Sequence, residues 1–553
     1  MERVAPIEKM HNLPGRRDLL ARIDRSFDRN PNPWLYSLLA LGLAIRMCYG
    51  WGTYLNPDEA LHFSVANQTT WWLTYKRSLI LGHPPLLIFL LHAWRTVATS
   101  EWMLRLPSIV AGTAACWLAY RWLAFLTERS VAVTAYGLML FLPSSIELSA
   151  EVRQYALVLA FSMAAGYLTE VALARNSVPA MLWSGVCLCL ALASHYSAFL
   201  FALTLGVYTA LRMRQHHPPL KVFAAWEFGQ VLAVGLSYFF FVTHLMQLGK
   251  IYGGVSAVRG FMANEFLGNS YYAPGRINPL LFVFARTGGV LQYLFEQPVV
   301  GDLAYPIFAL GLIQLFRRRD RPGRLLGFLL VFPFIANALA ALVRAYPYGG
   351  TRHSFFLLPF ASALVATGLL SFTWVRKQLV RGVLVALAVA LMCNLIPARR
   401  APYISRVNQR QQNMLCSISF LRQGGPEAPI FTDNQTSLML GYYLCDQRPL
   451  ELNQTVLGFT SFECGGRQVI VANQFVFTAR SFSDQWQQMI NRYHLAPGTR
   501  VWVTQMGWSV DVARDLARFP ELDLNPHYFG QNLQIFELTA GQRLPDPELL
   551  PSS

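Results

Sequence analysis

The sequence predicts a polytopic α-helical membrane protein followed by a C-terminal extracytoplasmic α/β domain. Three observations carry this reading. Of 553 residues, 54% are hydrophobic and 14% charged, against about 25% charged in soluble domains. Before residue 397 the apolar residues form long blocks, and beyond it the runs shorten to strand length. Lys and Arg collect in short loops between the blocks, as they do on the cytoplasmic side of a membrane.

The blocks lie at 34–47, 106–126, 131–146, 155–174, 222–242, 325–343, 355–372 and 383–396; a crossing needs about 20 mostly apolar residues. A largely polar segment precedes the first block and no small-residue cleavage site follows it, so no signal peptide is expected and the first helix stays in place. Votes for the inside come from Arg16, Arg17, Arg22, Arg25 and Arg29, from Arg121 with Arg129, from Arg175, from 212–221 and 317–324, and from Arg376, Lys377 and Arg381. A crossing on each side of every such loop gives about eleven helices. The expected organisation is a cytoplasmic tail over 1–33, a transmembrane domain over 34–396 with outer loops at 51–104, 147–155, 244–298 and 344–354, and a periplasmic domain over 397–553. The blocks 84–98 and 279–295 would put the basic cluster 317–324 outside if they crossed, so they are expected to lie at the outer interface. The net charge of +16 then reads as an orientation signal, and no nucleic-acid partner is expected.

Beyond 397, strand-like runs at 429–432, 468–472, 501–504 and 533–538 alternate with helix-like stretches such as 511–519. That alternation predicts a small α/β domain with a mostly parallel sheet. Cys48, Cys116, Cys187, Cys189 and Cys393 fall in or near membrane helices, where Cys acts as a small hydrophobe. Cys416, Cys445 and Cys464 face an oxidising compartment and leave room for one disulfide, with Cys445 and Cys464 the favoured pair.

Ionisable residues at the membrane edge are costly and therefore functional candidates. The topology puts Asp58, Glu59, His62, His83, Glu151, Arg153, His195, Arg344, Arg352 and His353 on one outer face. In Asn56-Pro57-Asp58-Glu59-Ala60 the two acids point about 100° apart on a helix, so one can reach a substrate while the other holds the loop. The plainer alternative is a helix start, capped by Asp58 with Glu59 in the first turn. In Gly82-His83-Pro84-Pro85-Leu86 the proline pair fixes His83 before a helix N-terminus that attracts anions, or simply makes a turn. In Glu151-Val152-Arg153-Gln154-Tyr155 the Arg153 fork suits a phosphate, or pairs with Glu151. His195-Tyr196 and Gly350-Thr351-Arg352-His353 add donors, although His195 alone reads as a helix-end histidine bonded to backbone.

In this order the elements resemble the polyprenol-dependent glycosyltransferases of the GT-C class, specifically bacterial relatives of the protein O-mannosyltransferases and of the lipid A aminoarabinose transferase. Asp58-Glu59-Ala60 is similar to the family's acidic pair, His83-Pro84-Pro85-Leu86 to its HPPL element and Glu151 to Leu157 to its E-x-R-x-Y-A-L segment. Ser194-His195-Tyr196-Ser197 resembles T-H-Y-S with Ser for Thr, and 348–359 resembles the later R-[HY]-x5-P stretch. The likeness covers about residues 30 to 400. It implies a GT-C fold and inverting transfer, outside the membrane, from a polyprenyl-phosphate sugar to an acceptor hydroxyl on a lipid, polysaccharide or protein. It casts Asp58 as general base, Glu59 as the residue that positions the loop or acceptor, and Glu151 as a second acid near the sugar or the base. Arg153, Arg352 and His83 would hold the leaving phosphate, Arg46 would be a weaker addition, and Tyr155, His195, Tyr196 and His353 would bind substrate. The C-terminal segment departs from the β-trefoil of eukaryotic mannosyltransferases.

Asp58, Glu59 and His83 carry suitable ligand atoms, but no spacing singles out a divalent metal, and none is assigned. A lipid-sugar flippase or other multi-pass transporter is the competing reading; it needs polar groups or broken helices near the midplane, whereas these collect at one end. An envelope scaffold whose outer domain binds partners is the third.

Overall fold

The computed structural model describes residues 29–546 except 252–253, 255, 257–259, 261, 318–320, 373–378, 396–408, 424–427, 452–458, 509–510, 520–521, 523, 531–532 and 543. Most of the expected cytoplasmic tail, the boundary at 396–397, and Arg376 with Lys377 lie outside the described residues.

The chain opens with α1 (Asn32–Gly50), then three short helices, α2 (Pro57–Ala66), α3 (Trp71–Ser78) and α4 (Leu86–Trp94), before α5 (Glu101–Leu126). Next come α6 (Arg129–Phe141), α7 (Pro143–Ser149), α8 (Tyr155–Arg175), α9 (Val178–Ser194) and α10 (Ala198–His216). Five described helices are long and apolar enough to cross a membrane: α5, α8, Leu220–Ile251, Pro298–Arg317 and Gly323–Leu342; α6 with α7, bent by 58°, makes a sixth. This is fewer than the eleven or so expected. The remaining apolar helices are short, as α9 and Pro279–Phe295 are at 17 residues each, or carry charge: α1 contains Arg46 and α10 ends on Arg212, Arg214 and His216. At nine residues, α4 extends about 14 Å, half of a hydrocarbon core.

The bend between α6 and α7 comes from Pro143, which has no N–H for the carbonyl four residues back and breaks the ladder. Arg46 fills the gap from α1. Its guanidinium, wholly buried, donates to Leu140 O at 2.8 Å, Met139 O at 3.4 Å and Ser145 Oγ at 2.9 Å, where a helix C-terminus favours a cation. Arg46 is thus a staple of the break and not the weak phosphate ligand expected.

The C-terminal part forms a six-stranded sheet in the order β2-β3-β1-β4-β6-β5, with β1 Ile430–Thr432, β2 Thr460–Cys464, β3 Arg467–Val471, β4 Arg500–Met506, β5 His527–Gly530 and β6 Leu533–Thr539. Strands form at all four expected places. The sheet is mixed and not mostly parallel: β1 pairs parallel with β3 and β4, but β2–β3, β4–β6 and β5–β6 are antiparallel. The missed strands are hairpin partners. Gly465 and Gly466, at φ +58° and +79°, make the two-residue turn joining β2 to β3 that only primed geometry allows. The helix Ala479–Tyr493 covers the sheet, burying Phe482 and Trp486 against Phe431 and Phe536. Cys445 and Cys464 form the disulfide favoured from the sequence, with S–S 2.05 Å.

The sheet domain grips the loop before α2. Tyr443, at the end of the helix Asn434–Tyr443, accepts the Leu55 N–H at 2.7 Å. Tyr54 N donates to Gln409 O at 2.8 Å and Leu450 N to Ser64 O at 3.1 Å. Gly507, just past β4, comes so near α2 that a Cβ there would lie 2.5 Å from Pro57 Cγ, at a φ of +84°. The carboxyl end of the parallel strands therefore rests on the first residue of α2.

Candidate active site

Asn56 begins α2 with a reciprocal cap. Its side chain accepts Glu59 N at 2.9 Å, and Glu59 Oε2 accepts Asn56 N at 3.0 Å. Capping falls to Asn56 and not to Asp58. Glu59 is wholly buried and held further: Arg105 grips both its oxygens at 2.8 Å, and Oε1 accepts Val152 N at 3.0 Å. Grouped with the catalytic acids from the sequence, Glu59 is bound up on every side as an anchor between α2, α5 and the loop after α7. The loop-positioning role is the one its geometry supports.

Arg105 was missed in the sequence. It is fully buried in α5 and also donates to Gly50 O, Thr53 O and Tyr54 O, each at 2.9 Å. One side chain thus fixes the whole turn from α1 into α2. The signal was present, since Arg105 is an ionisable residue in an early turn of an apolar helix, but it belongs to no motif and no basic loop.

Asp58, one position before Glu59, turns the other way, toward two arginines. Its Oδ2 takes Arg153 Nη1 at 2.8 Å and Arg352 Nη1 at 2.9 Å. Two arginines far apart in the chain converge on one oxygen, so Arg153 has an acidic partner in Asp58, beyond the Glu151 contact that was the alternative to phosphate binding. Burial alone would raise the Asp58 carboxyl; the two guanidiniums outweigh it and bring it down to about 2. Glu151 Oε1 meets Asn56 Nδ2 at 3.4 Å beside the pair.

Four histidines cluster beside these groups. His83 lies 5.2 Å from His195 and 6.3 Å from His62 between ring centroids, and His195 lies 5.9 Å from His353. Tyr155 packs on His195 at 5.0 Å and under the Arg153 guanidinium at 5.6 Å. Burial, reinforced by the Arg153 charge, lowers His62 to about 4 and His195 to about 3. Burial, with neighbouring His195, pushes His83 and His353 well below the usual histidine range. All four are neutral near pH 7 and act as hydrogen-bonding groups. The Nδ1 of His195 accepts Ser197 N at 3.2 Å, the backbone bond anticipated for a helix-end histidine. By contrast His62 Nε2, His83 Nδ1, His353 Nδ1, Tyr155 Oη and Tyr196 Oη are buried without a partner among the described residues. Of the outer-face residues, Arg344 stands apart, bonded to Asn264. Among the described residues no group of three His, Cys, Asp or Glu is arranged to hold a metal ion.

Residues 82–245 match the family model described as dolichyl-phosphate-mannose-protein mannosyltransferase. That segment contains His83, Glu151, Arg153, Tyr155, His195 and Tyr196. No curated protein matches the chain by sequence. In three dimensions it is similar to ArnT from Cupriavidus metallidurans, a structure bound to undecaprenyl phosphate, with 15% identity, 93% of this chain and 99% of that chain covered, and a TM-score of 0.51. It also matches the oligosaccharyltransferase AglB from Archaeoglobus fulgidus, in complex with an inhibitory peptide and a dolichol-phosphate, at 10% identity over 86% of this chain and 70% of that chain, with a TM-score of 0.47. The chain is thus a multi-pass membrane protein that shares its fold with ArnT, and its residues 82–245 are similar to a mannosyltransferase family.

Proposed function

We propose that the protein moves a sugar from a polyprenyl-phosphate donor to an acceptor hydroxyl at the periplasmic face of a bacterial inner membrane, with inversion. The observation that carries this reading is the carboxylate of Asp58 between Arg153 and Arg352. A base beside two cations is what the reaction needs: the acceptor loses a proton while the leaving phosphate gains charge. Asp58 takes the acceptor proton, the acceptor oxygen bonds the anomeric carbon, and the C–O electron pair leaves with the lipid phosphate. Arg153 and Arg352 stabilise that phosphate. Glu59 and Arg105 hold Asp58 in place, and Glu151, next to Asn56, lies where it can meet the sugar or acceptor. The neutral rings of His83 and His353 and the hydroxyls of Tyr155 and Tyr196 supply polar groups, unpaired among the described residues, for sugar hydroxyls and phosphate oxygens. The similarity to a structure holding undecaprenyl phosphate supports the donor class. The sheet domain, seated on α2, covers the site and selects the acceptor.

The test uses purified protein in nanodiscs with polyprenyl-phosphate sugars and lipid, polysaccharide and peptide acceptors. Release of polyprenyl phosphate with an acceptor glycoside of opposite anomeric configuration is expected. Movement of the intact donor across proteoliposomes with no glycosidic product would instead establish the flippase.

A further inference from the structure

Two arginines on a single carboxylate oxygen pose a problem for a general base, because a carboxylate so paired resists protonation. The two are held unequally. Arg153 is 4% exposed and lies over the Tyr155 ring. The Arg352 side chain is 27% exposed and starts a short 3-10 segment just after Gly349 and Gly350, with Gly349 at φ +135°. His83 Nδ1, His353 Nδ1 and Tyr155 Oη, which have no partner among the described residues, belong to the ring cluster around His195 beside Arg153, so an anion there would gain polar partners that Asp58 does not use.

We propose that Arg352 is shared between Asp58 and the donor phosphate, so that arrival of the lipid phosphate draws Arg352 away and frees Asp58 to accept the acceptor proton. This rests on the reading of the donor as a polyprenyl phosphate. Arg153 keeps its bond to Asp58 and contributes its charge to the phosphate from there, while the more exposed Arg352 turns to the phosphodiester. During transfer the acceptor proton passes to Asp58, the acceptor oxygen bonds the anomeric carbon, and the breaking C–O bond leaves its pair on the phosphate. The resulting monoester carries more negative charge and holds Arg352 more firmly, which keeps the protonated Asp58 from recapturing it. Donor binding thereby precedes proton transfer, and the base is inactive until the sugar is in place.

Coupling between two ligands of one group is reciprocal. If the phosphate weakens the hold of Arg352 on Asp58, the Asp58 charge must weaken phosphate binding by the same factor. Removing that charge therefore improves lipid binding in a variant expected to be inactive. The experiment measures undecaprenyl phosphate binding to the full-length protein in nanodiscs for the wild type, Asp58→Asn, Arg352→Gln and the double variant. Couplings of this kind span about 5- to 150-fold, so Asp58→Asn is expected to bind about fivefold or more tightly than the wild type. Arg352→Gln should bind more weakly, and the gain from Asp58→Asn should vanish in the Arg352→Gln background. Asp58→Ala carries the same expectation, and thermal melts identify any variant that has not folded. A wild type that binds while folded Asp58→Asn and Asp58→Ala bind equally or less tightly overturns the sharing but leaves the donor reading intact. A wild type and variants that all fail to bind overturn the donor reading and the sharing with it.

Discussion

Adjacent acids on a helical turn point about 100° apart, and that angle separates the fates of Asp58 and Glu59. Glu59 turns inward to Arg105 and two backbone N–H groups, while Asp58 turns to Arg153 and Arg352. Replacing Glu59 with Gln leaves Arg105 buried without its counter-charge, which costs about 3–5 kcal/mol for pairs of this kind. A large drop in melting temperature in detergent is the expected outcome, with activity lost through unfolding. The motif made both acids legible in the sequence, as it did Arg153 and Arg352. Their pairing was not, because the ion pair between Arg352 and Asp58 spans 294 residues, and no local pattern encodes a contact of that range. Arg46 shows the converse: its position at the outer end of an apolar helix suggested a ligand, yet the carbonyls freed by Pro143 claim it.

At the scale of elements, hydrophobic blocks foretold helices well and the domain interface poorly. The grip of the sheet domain on the α2 loop runs through backbone carbonyls, the Tyr443 hydroxyl and the close approach of Gly507 to Pro57. Backbone acceptors leave no mark on composition, and a lone glycine is ambiguous until its φ is known. Gly507→Ala should strain the left-handed turn and push β4 from α2. The expected result is lower turnover with greater protease sensitivity of the sheet domain, and an unchanged protease pattern would argue against a tight seat. Removing the Cys445–Cys464 bridge, whose sequence separation is 19, should lower the stability of that domain by about 3 kcal/mol, read by denaturant melts of Cys445→Ser with Cys464→Ser. Asp433, buried at the start of the helix after β1, is raised by burial to about 6 against the bonds it accepts from Thr436 N and Phe477 N. A raised carboxyl supports folding below its unfolded value, near 3.8, and that support is lost as pH climbs through 6. The stability of Asp433→Asn relative to the wild type should therefore improve between about pH 4 and 6.

For the whole molecule, Asp58, Glu59, Arg105, Arg153 and Arg352 meet beside the α2 turn that the sheet domain grips. Cys416 is a free and exposed thiol in that domain, so a membrane-impermeant maleimide applied to spheroplasts should label the wild type more than Cys416→Ala; equal labelling would place the domain on the other side. The buried histidines also give the fold a pH dependence. A group whose folded pKa is depressed supports folding above its unfolded value, about 6.5 for histidine, and that support is lost as pH falls through the folded values near 4 for His62 and 3 for His195. Melting temperature should fall as pH drops below about 6.5, and less steeply for His195→Gln.

The central claim is that Asp58 takes the acceptor proton in transfer from a polyprenyl-phosphate sugar. Single-turnover transfer in nanodiscs, with wild type and Asp58→Asn compared at saturating donor, tests it most directly. The rate of Asp58→Asn should fall about 10²–10⁴-fold, the usual worth of a general base, with undecaprenyl phosphate still bound. Transfer by Asp58→Asn at the wild-type rate would rule Asp58 out as the base.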